Sequence, residues 1–222
     1  ICQRLAAISP QAYESSLAMA QNNLGLLCSD TQRYEESEEM FLSALMVYQR
    51  LTVENPQVYE PGLATTQNNL GNLYRDTQRY EESEEMYLSA MEIYRRLAAV
   101  NPQVYEPDLA MVQNNLGLLY KDIQRYKESE EMYLSALEIY RRLVAVNPQV
   151  YEPDLAMVQN NLGLLYRDTQ RYEESEKMYL SALEIYQRLS AMNPQVYESD
   201  LARTQNNLGL LYSDTQRYEE NE

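Results

Sequence analysis

Apolar and polar positions recur along the chain with a period of 46 residues. The clearest marker is the pattern Gln-Asn-Asn-Leu-Gly, which begins at residues 21, 67, 113, 159 and 205. Each unit carries two segments whose apolar residues recur every three to four positions, as on one face of an α-helix. We call the first segment helix A and the second helix B. Repetition at such a fixed period predicts stacked units of one supersecondary structure.

Helix A has one apolar stripe. In the third unit the stripe contains Leu109, Val112, Leu116, Leu119 and Tyr120. Pro107 fits the first turn of this helix, where the N–H group that proline lacks would have no partner within the helix. Asp108 places a negative charge near the positive end of the helix dipole. The pattern therefore predicts that helix A begins near Pro107.

Helix B has an apolar stripe of its own, with glutamates on the opposite side. In the third unit the stripe contains Tyr126, Ser129, Tyr133, Ala136, Leu137, Tyr140 and Leu143, and the glutamates are Glu128, Glu130 and Glu131. The connection at residues 121–126 is too short for anything but a tight turn, so the two helices are expected to pack antiparallel. Helix B is expected to end before Asn147, because a residue that precedes proline avoids the α conformation.

A pair of such helices cannot bury its own stripes, but stacked pairs can. The expected fold is an all-α solenoid with one array over residues 1–222. The expected units are the end of a preceding helix B at 1–8, then 9–54, 55–100, 101–146 and 147–192, and a partial unit at 193–222. Both terminal segments cut a unit, which predicts an array that continues in a longer protein. Their uncovered apolar faces also predict head-to-tail self-association.

Glycine lies inside each helix A, although it costs about 1 kcal/mol there relative to alanine. We expect a compensating close approach of the two helices, with Gly71 and Gly117 facing small residues of helix B such as Ser129 and Ala136. A hinge is the alternative explanation.

The spacing of residues that recurs in every unit resembles the signature of the tetratricopeptide repeat (TPR). The matching residues of the second unit are Leu70, Gly71, Tyr74, Tyr80, Ser83, Tyr87 and Ala90. Two positions depart from it: Gln67 stands where the signature has tryptophan, and Arg95 where it has proline. The longer period is similar to that of the kinesin-light-chain-like branch. The resemblance implies a right-handed superhelix of antiparallel helix pairs that binds proteins along its concave groove.

Composition excludes several classes of function. The formal charge of −16 is spread over all units, which argues against binding to nucleic acid, and no apolar run reaches the roughly 20 residues that span a bilayer. With no histidine and two cysteines, neither a usual zinc site nor common catalytic machinery is expected. Cys2 and Cys28 occupy tyrosine positions of other units and are expected to be packed thiols. We expect a cytoplasmic protein with no enzymatic activity, cofactor or metal.

A second stripe of helix A contains two adjacent asparagines in every unit. The pairs are Asn22 and Asn23, Asn68 and Asn69, Asn114 and Asn115, Asn160 and Asn161, and Asn206 and Asn207. An amide both donates and accepts, so it can pair with the backbone of a bound peptide. The resemblance to TPR proteins implies that this stripe lines the concave groove. It also implies that the second asparagine of each pair contacts the backbone of the bound peptide. The alternative is that these amides bond to neighbouring helices and hold the spacing between units.

Lower in the same stripe, basic residues stand in the middle units, at Arg75, Lys121 and Arg167, each followed by aspartate. They are candidate contacts for acidic groups of a peptide, or else a solvated rim. The glutamate clusters of helix B lack the glycine-containing loop and mixed ligands of a calcium site, so we expect them to be a solvated face.

These observations predict a protein-interaction scaffold that binds a partner peptide or helix in its groove. Two alternatives stay open. The array can be the ligand-sensing arm of a larger signalling ATPase or protease, or it can be a structural array that assembles end to end.

Overall fold

A computed structural model describes residues 10–215, and every regular element in that range is an α-helix. In chain order the described helices are α1 (Pro10–Asp30), α2 (Tyr34–Glu54), α3 (Pro56–Asp76), α4 (Tyr80–Val100), α5 (Pro102–Asp122), α6 (Tyr126–Val146), α7 (Pro148–Asp168), α8 (Tyr172–Met192) and α9 (Pro194–Asp214). The odd-numbered helices are the A helices and the even-numbered ones are the B helices.

Each helix A begins earlier than the sequence pattern predicts. The predicted start at Pro107 is wrong: α5 begins at Pro102, and Pro107 lies inside the helix. The carbonyl of Asn101 accepts hydrogen bonds from the N–H groups of Val104 and Tyr105, which makes the intervening residues helical. The N–H that Pro107 lacks would have bonded to the carbonyl of Gln103, which is exposed and can bond to water.

The turn from helix A to helix B is tight, as predicted. Gln78 has a φ of 61°, and its equivalents in three other units share this left-handed conformation. The N–H of Arg79 bonds to the carbonyl of Tyr74 at 2.7 Å, and the N–H of Gln78 bonds to that of Arg75 at 3.0 Å. This pair of bonds is the Schellman motif, which satisfies the last carbonyls of the helix and reverses the chain.

The chain divides into two compact units, Ile1–Leu119 and Tyr120–Glu222. In the first, α1 packs on α2, α2 on α3 and α3 on α4, and the A helices α1 and α3 also touch. In the second, α6 packs on α7, α7 on α8 and α8 on α9, with a contact between α7 and α9. This packing of consecutive helices confirms the predicted all-α, TPR-like solenoid.

The predicted apolar stripes form the core. All five stripe residues named for α5 are buried, as are Ser129, Tyr133, Ala136, Leu137, Tyr140 and Leu143 of α6. Tyr126 is only half-buried. The two periodic patterns therefore identify the packed faces of both helices.

The glycines allow close approach, but to an aromatic ring. A Cβ added to Gly71 would lie 2.6 Å from the ring of Tyr87, and one added to Gly163 would lie 2.6 Å from the ring of Tyr179. The expected small residue is present too, because the Ser83 hydroxyl donates to the Gly71 carbonyl at 2.8 Å. The prediction of close packing thus holds, and its main partner is tyrosine rather than alanine.

Cys28 is free and buried, as its tyrosine-like position predicts. Its sulfur accepts a hydrogen bond from Arg33 at 3.0 Å. Cys2 and the terminal segments 1–8 and 216–222 lie outside the described residues. Self-association through those segments, and the unit boundaries of a single array, stay predictions.

Candidate functional site

In α1, α3, α5 and α7 the first asparagine of the pair lies in the interior. Asn22, Asn68, Asn114 and Asn160 are between 1% and 7% exposed. The second asparagine varies: Asn69 and Asn207 are buried, Asn115 and Asn161 are half-buried, and Asn23 is exposed. In the last described helix the order is reversed, since Asn206 is exposed.

These asparagines bond to one another across successive A helices. The side-chain amide of Asn69 donates to the side-chain oxygen of Asn22 at 3.2 Å, and Asn115 donates to Asn68 at 3.0 Å. In the second compact unit Asn207 donates to Asn160 at 3.1 Å. We call this row the asparagine ladder. In each bond the second asparagine of one repeat is the donor and the first asparagine of the preceding repeat is the acceptor.

The ladder has the geometry expected of amides that hold the spacing between repeats. Each bond uses one of the two amide hydrogens of its donor, so a further contact to a peptide remains chemically possible. The asparagines best placed for such a contact are Asn23, Asn115, Asn161 and Asn206, which are at least partly exposed. Peptide binding by the ladder stays a prediction.

The basic residues lie one turn or more below the ladder and pair with aspartates. Lys121 lies 3.5 Å from Asp168, and Arg167 lies 3.4 Å from Asp214, so each cation meets the aspartate of the following helix A. Arg75 bonds to Asp76 at 3.0 Å. The three cationic side chains are 22–23% exposed. Their charge is therefore largely balanced before any partner binds.

Apolar side chains flank the ladder and remain accessible. Met19 is 55% exposed, Met111 43%, Leu26 40% and Leu210 44%. They stand one turn before or after the asparagine pairs on the same side of their helices. We call the apolar residues at these two positions the A-helix stripe of each compact unit; the described members are Met19, Leu26, Met111 and Leu118 in the first unit and Met157, Leu164 and Leu210 in the second. The spacing of Met111 and Leu118 places them with the asparagines on the second stripe of helix A, so the sequence pattern does separate this face from the core.

A second connection between repeats was not predicted. The Tyr166 hydroxyl donates to Glu130 at 3.1 Å, and Arg171 donates to the same carboxylate at 2.7 Å. The Arg171 guanidinium also lies 4.2 Å from the centre of the Tyr166 ring, and it bonds to Glu174. We call this group the tyrosine–arginine–glutamate clamp. Tyr74, Arg79 and Glu38 form the same clamp in the first compact unit.

The clamp changes the interpretation of the glutamate clusters. Glu38 and Glu130 are half-buried and bonded, so the expectation of a uniformly solvated face is wrong for them. Burial, together with the charge of Glu130, raises the pKa of Tyr166 to about 12. The hydroxyl therefore remains a donor to Glu130 even in alkaline solution, where an ordinary tyrosine would begin to ionise.

Within the described part of the chain, no group of three or more metal-ligating side chains is found. None of the described helices is both long enough and apolar enough to cross a membrane. The arrangement of the site is a surface of amides, paired charges and exposed apolar side chains.

Comparison with solved structures shows several similar helical repeats. The chain superposes on BtubC (BKLC) from P. vanneervenii with a TM-score of 0.78 and 27% identity, covering 99% of this chain and 81% of that one. For the apo form of RapI the TM-score is 0.72 at 18% identity, with 92% and 66% covered. A putative kinesin light chain of Podosopora anserina with nearly identical TPR-like repeats gives 0.68 at 15%, with 94% and 90% covered.

Among curated proteins, none matches this sequence. Models of the tetratricopeptide repeat match residues 62–142 and 154–220, and a further one matches residues 17–56. These ranges span more than half of the chain and include the Leu-Gly and tyrosine positions that build its core. The chain belongs to the tetratricopeptide repeat family.

Proposed function

We propose that the chain is a protein-interaction scaffold that binds an extended or helical segment of a partner protein along the A-helix stripe of either compact unit. The observation that carries this proposal is the exposure of Met111, which is 43% accessible in α5, beside the bonded amides of Asn115 and Asn68 in the first compact unit. TPR proteins generally mediate contacts between proteins, which supports the same conclusion. Methionine adapts its shape to different ligands, so the stripe can accept apolar side chains of more than one kind.

Charge has a secondary part in the proposed binding. The cations nearest the stripe, Lys121 and Arg167, already pair with aspartates. An acidic group of the partner would have to displace an aspartate, which limits its net gain. Affinity should therefore come chiefly from apolar burial and depend only modestly on salt.

The accessible asparagines supply the polar contacts in this proposal. Asn115 donates one amide hydrogen to Asn68, and its other polar positions can face the main chain of a bound segment. Asn68 itself is 6% exposed and serves to orient Asn115. The two earlier hypotheses for the asparagines are then compatible, since the buried member holds the repeat and the accessible member meets the ligand.

Selection from a displayed library of random peptides tests the proposal and supplies the probe. A selected peptide should bind Met111→Glu at least about 10-fold more weakly than the original chain, because a charge is then buried beneath an apolar contact. Val100→Glu is the matched control, since Val100 is 87% exposed on a B helix. Calorimetric titration gives the affinities, and circular dichroism melting confirms the fold of both variants.

Asn115→Ala should lower the affinity for the same peptide by roughly 2- to 10-fold, as for the loss of one neutral hydrogen bond.

Equal affinities of the peptide for Met111→Glu and for the original chain would refute the proposed site. A steep loss of affinity between low and high salt would point instead to Lys121 and Arg167 as the main contacts.

A further inference from the structure

Two A helices carry a carboxylate one turn before the methionine of the A-helix stripe. Asp108 of α5 precedes Met111 by three residues, and Asp154 of α7 precedes Met157 by three. Residues three apart lie on the same side of a helix, so each carboxylate lies next to the stripe. Both aspartates are half-buried. The first two repeats have serine and glycine at this position and lack the charge.

Neither carboxylate has a hydrogen bond or an ion pair within the described residues. In the second compact unit, the arginine that reaches the beginning of α7 bonds to a different acid, since Arg188 donates to Glu152 at 2.8 Å. Burial raises the pKa of both aspartates, and no neighbouring cation opposes the shift. Each carboxylate has therefore lost part of its hydration without gaining a counter-charge.

The fifth repeat shows which group this carboxylate accepts. Arg203 of α9 stands at the position that methionine occupies in α5 and α7, and its guanidinium donates to Asp200 at 2.7 Å. Burial raises the pKa of Tyr186, the charges of Asp200 and Asp154 raise it further, and the charge of Arg203 lowers it. The guanidinium thus lies near both the carboxylate and the tyrosine hydroxyl. The chain supplies the cation in this repeat, whereas the third and fourth repeats have methionine instead and leave the carboxylate unpaired.

We propose that the A-helix stripe of each compact unit selects protein segments in which an arginine adjoins an apolar side chain, and that Asp108 or Asp154 accepts the arginine. The inference rests on the proposed function, because the apolar side chain packs against Met111 or Met157 of the stripe. The occupant is therefore a basic and apolar segment of a partner protein. The formal charge of −16 on the chain favours the approach of such a segment.

Other segments match this surface less well. An acidic side chain beside the stripe would be repelled by the aspartate, and a purely apolar one would remove the remaining water from the carboxylate without replacing its hydrogen bonds. A guanidinium can donate two parallel hydrogen bonds to one carboxylate. Each compact unit offers one unpaired carboxylate at this level, so the ion pair selects the segment while apolar burial supplies most of the affinity. Salt dependence stays modest, because a half-buried pair is screened less than an exposed one.

The selection from displayed random peptides supplies the probe for this inference as well. Met111→Ala identifies the peptides that contact the stripe of the first compact unit, without a change of charge. Those peptides should carry arginine beside an apolar residue. Replacing that arginine by citrulline, which has nearly the same shape and no charge, should lower the affinity for the original chain by about 10-fold, as for a hydrogen bond to a charged group.

A double-mutant cycle assigns the lost affinity to one carboxylate. The arginine and citrulline peptides should bind Asp108→Asn equally, because the variant has no charge for the arginine to meet. Met157→Ala and Asp154→Asn provide the same test in the second compact unit. Both asparagine variants should melt no earlier than the original chain, since neutralising an unpaired, half-buried carboxylate removes a cost of burial.

Glu92→Gln is the matched control. Glu92 is exposed on α4, and its replacement removes the same charge from a different face. It should leave the affinities of both peptides unchanged, which separates a local ion pair from general attraction to an acidic chain. An equal loss of affinity in Glu92→Gln and Asp108→Asn would overturn the inference.

The outcomes separate this inference from the proposed function. Peptides that lose affinity for Met111→Ala but contain no recurring arginine, or that bind Asp108→Asn as tightly as the original chain, overturn the arginine contact and leave the scaffold proposal standing. A lower melting temperature of Asp108→Asn would show that the carboxylate already has a partner within the chain, which also overturns the contact. A chain that selects no peptide refutes the proposed function, and the inference with it.

Discussion

Replacing Gly163 by leucine should lower the free energy of unfolding by about 3 kcal/mol, the upper part of the range for overpacked cores. The Cβ alone would lie 2.6 Å from the Tyr179 ring, which is fully buried and packs against Leu208, Leu211 and Tyr212. The gain in helix propensity, about 1 kcal/mol, has the opposite sign and is smaller. Urea unfolding followed by circular dichroism measures the net effect.

A double-mutant cycle tests whether the Tyr179 ring is the cause. Gly163→Ala should be destabilising in the original chain and close to neutral or stabilising in a Tyr179→Leu background, where the ring is absent. If Gly163→Leu leaves the stability unchanged or raises it, close packing is not the reason for the glycine.

Replacing Glu130 by alanine should lower the free energy of unfolding by about 1.5 kcal/mol, the lower end of the range for hydrogen bonds to a charged group. Glu130 accepts from Tyr166 and from Arg171, and both bonds connect α6 to the next repeat. We take the lower end because the carboxylate is 26% exposed and therefore partly screened by water. Thermal and urea unfolding of the same variant provide the measurement.

Glu131→Ala is the matched control for this clamp. Glu131 is the adjacent residue of α6 and is exposed, so its loss should change stability by less than about 0.5 kcal/mol. Tyr166→Phe should have a smaller effect than Glu130→Ala, and the two should be non-additive, since they remove the same bond. Equal effects of the two glutamate substitutions would show that the clamp contributes nothing measurable.

The helices and their buried faces could be predicted because they depend on local periodicity. Leu116 and Leu119 of helix A, and Tyr133 of helix B, each belong to a stripe with helical spacing, and no other pattern in these segments competes with that signal. The start of helix A was harder. Pro102 and Pro107 both suit a first turn, and the choice depends on the hydrogen bonds of Asn101, which no pattern of side chains encodes.

The contacts between repeats could not be predicted from one helix at a time. Spacing along a helix shows that Glu128, Glu130 and Glu131 avoid the apolar stripe, but it does not show that Arg171 of the next repeat reaches Glu130. The asparagines illustrate the same limit. Their recurrence indicated that they hold either a peptide or the spacing between repeats. The bond from Asn207 to Asn160, however, depends on the distance between two A helices, which the sequence pattern does not give.

The described bonds between successive repeats join residues that are about one repeat apart in the chain. Tyr166 and Glu130 are 36 positions apart, Arg171 and Glu130 are 41 apart, and Asn207 and Asn160 are 47 apart. Stability in such a protein is approximately a sum over repeats and their nearest-neighbour interfaces. Removal or duplication of one whole interior repeat would then leave the donors of the clamp and of the asparagine ladder opposite acceptors of the same kind. Recombination between the near-identical repeats of the gene can therefore shorten or lengthen the array without requiring a new interface to evolve.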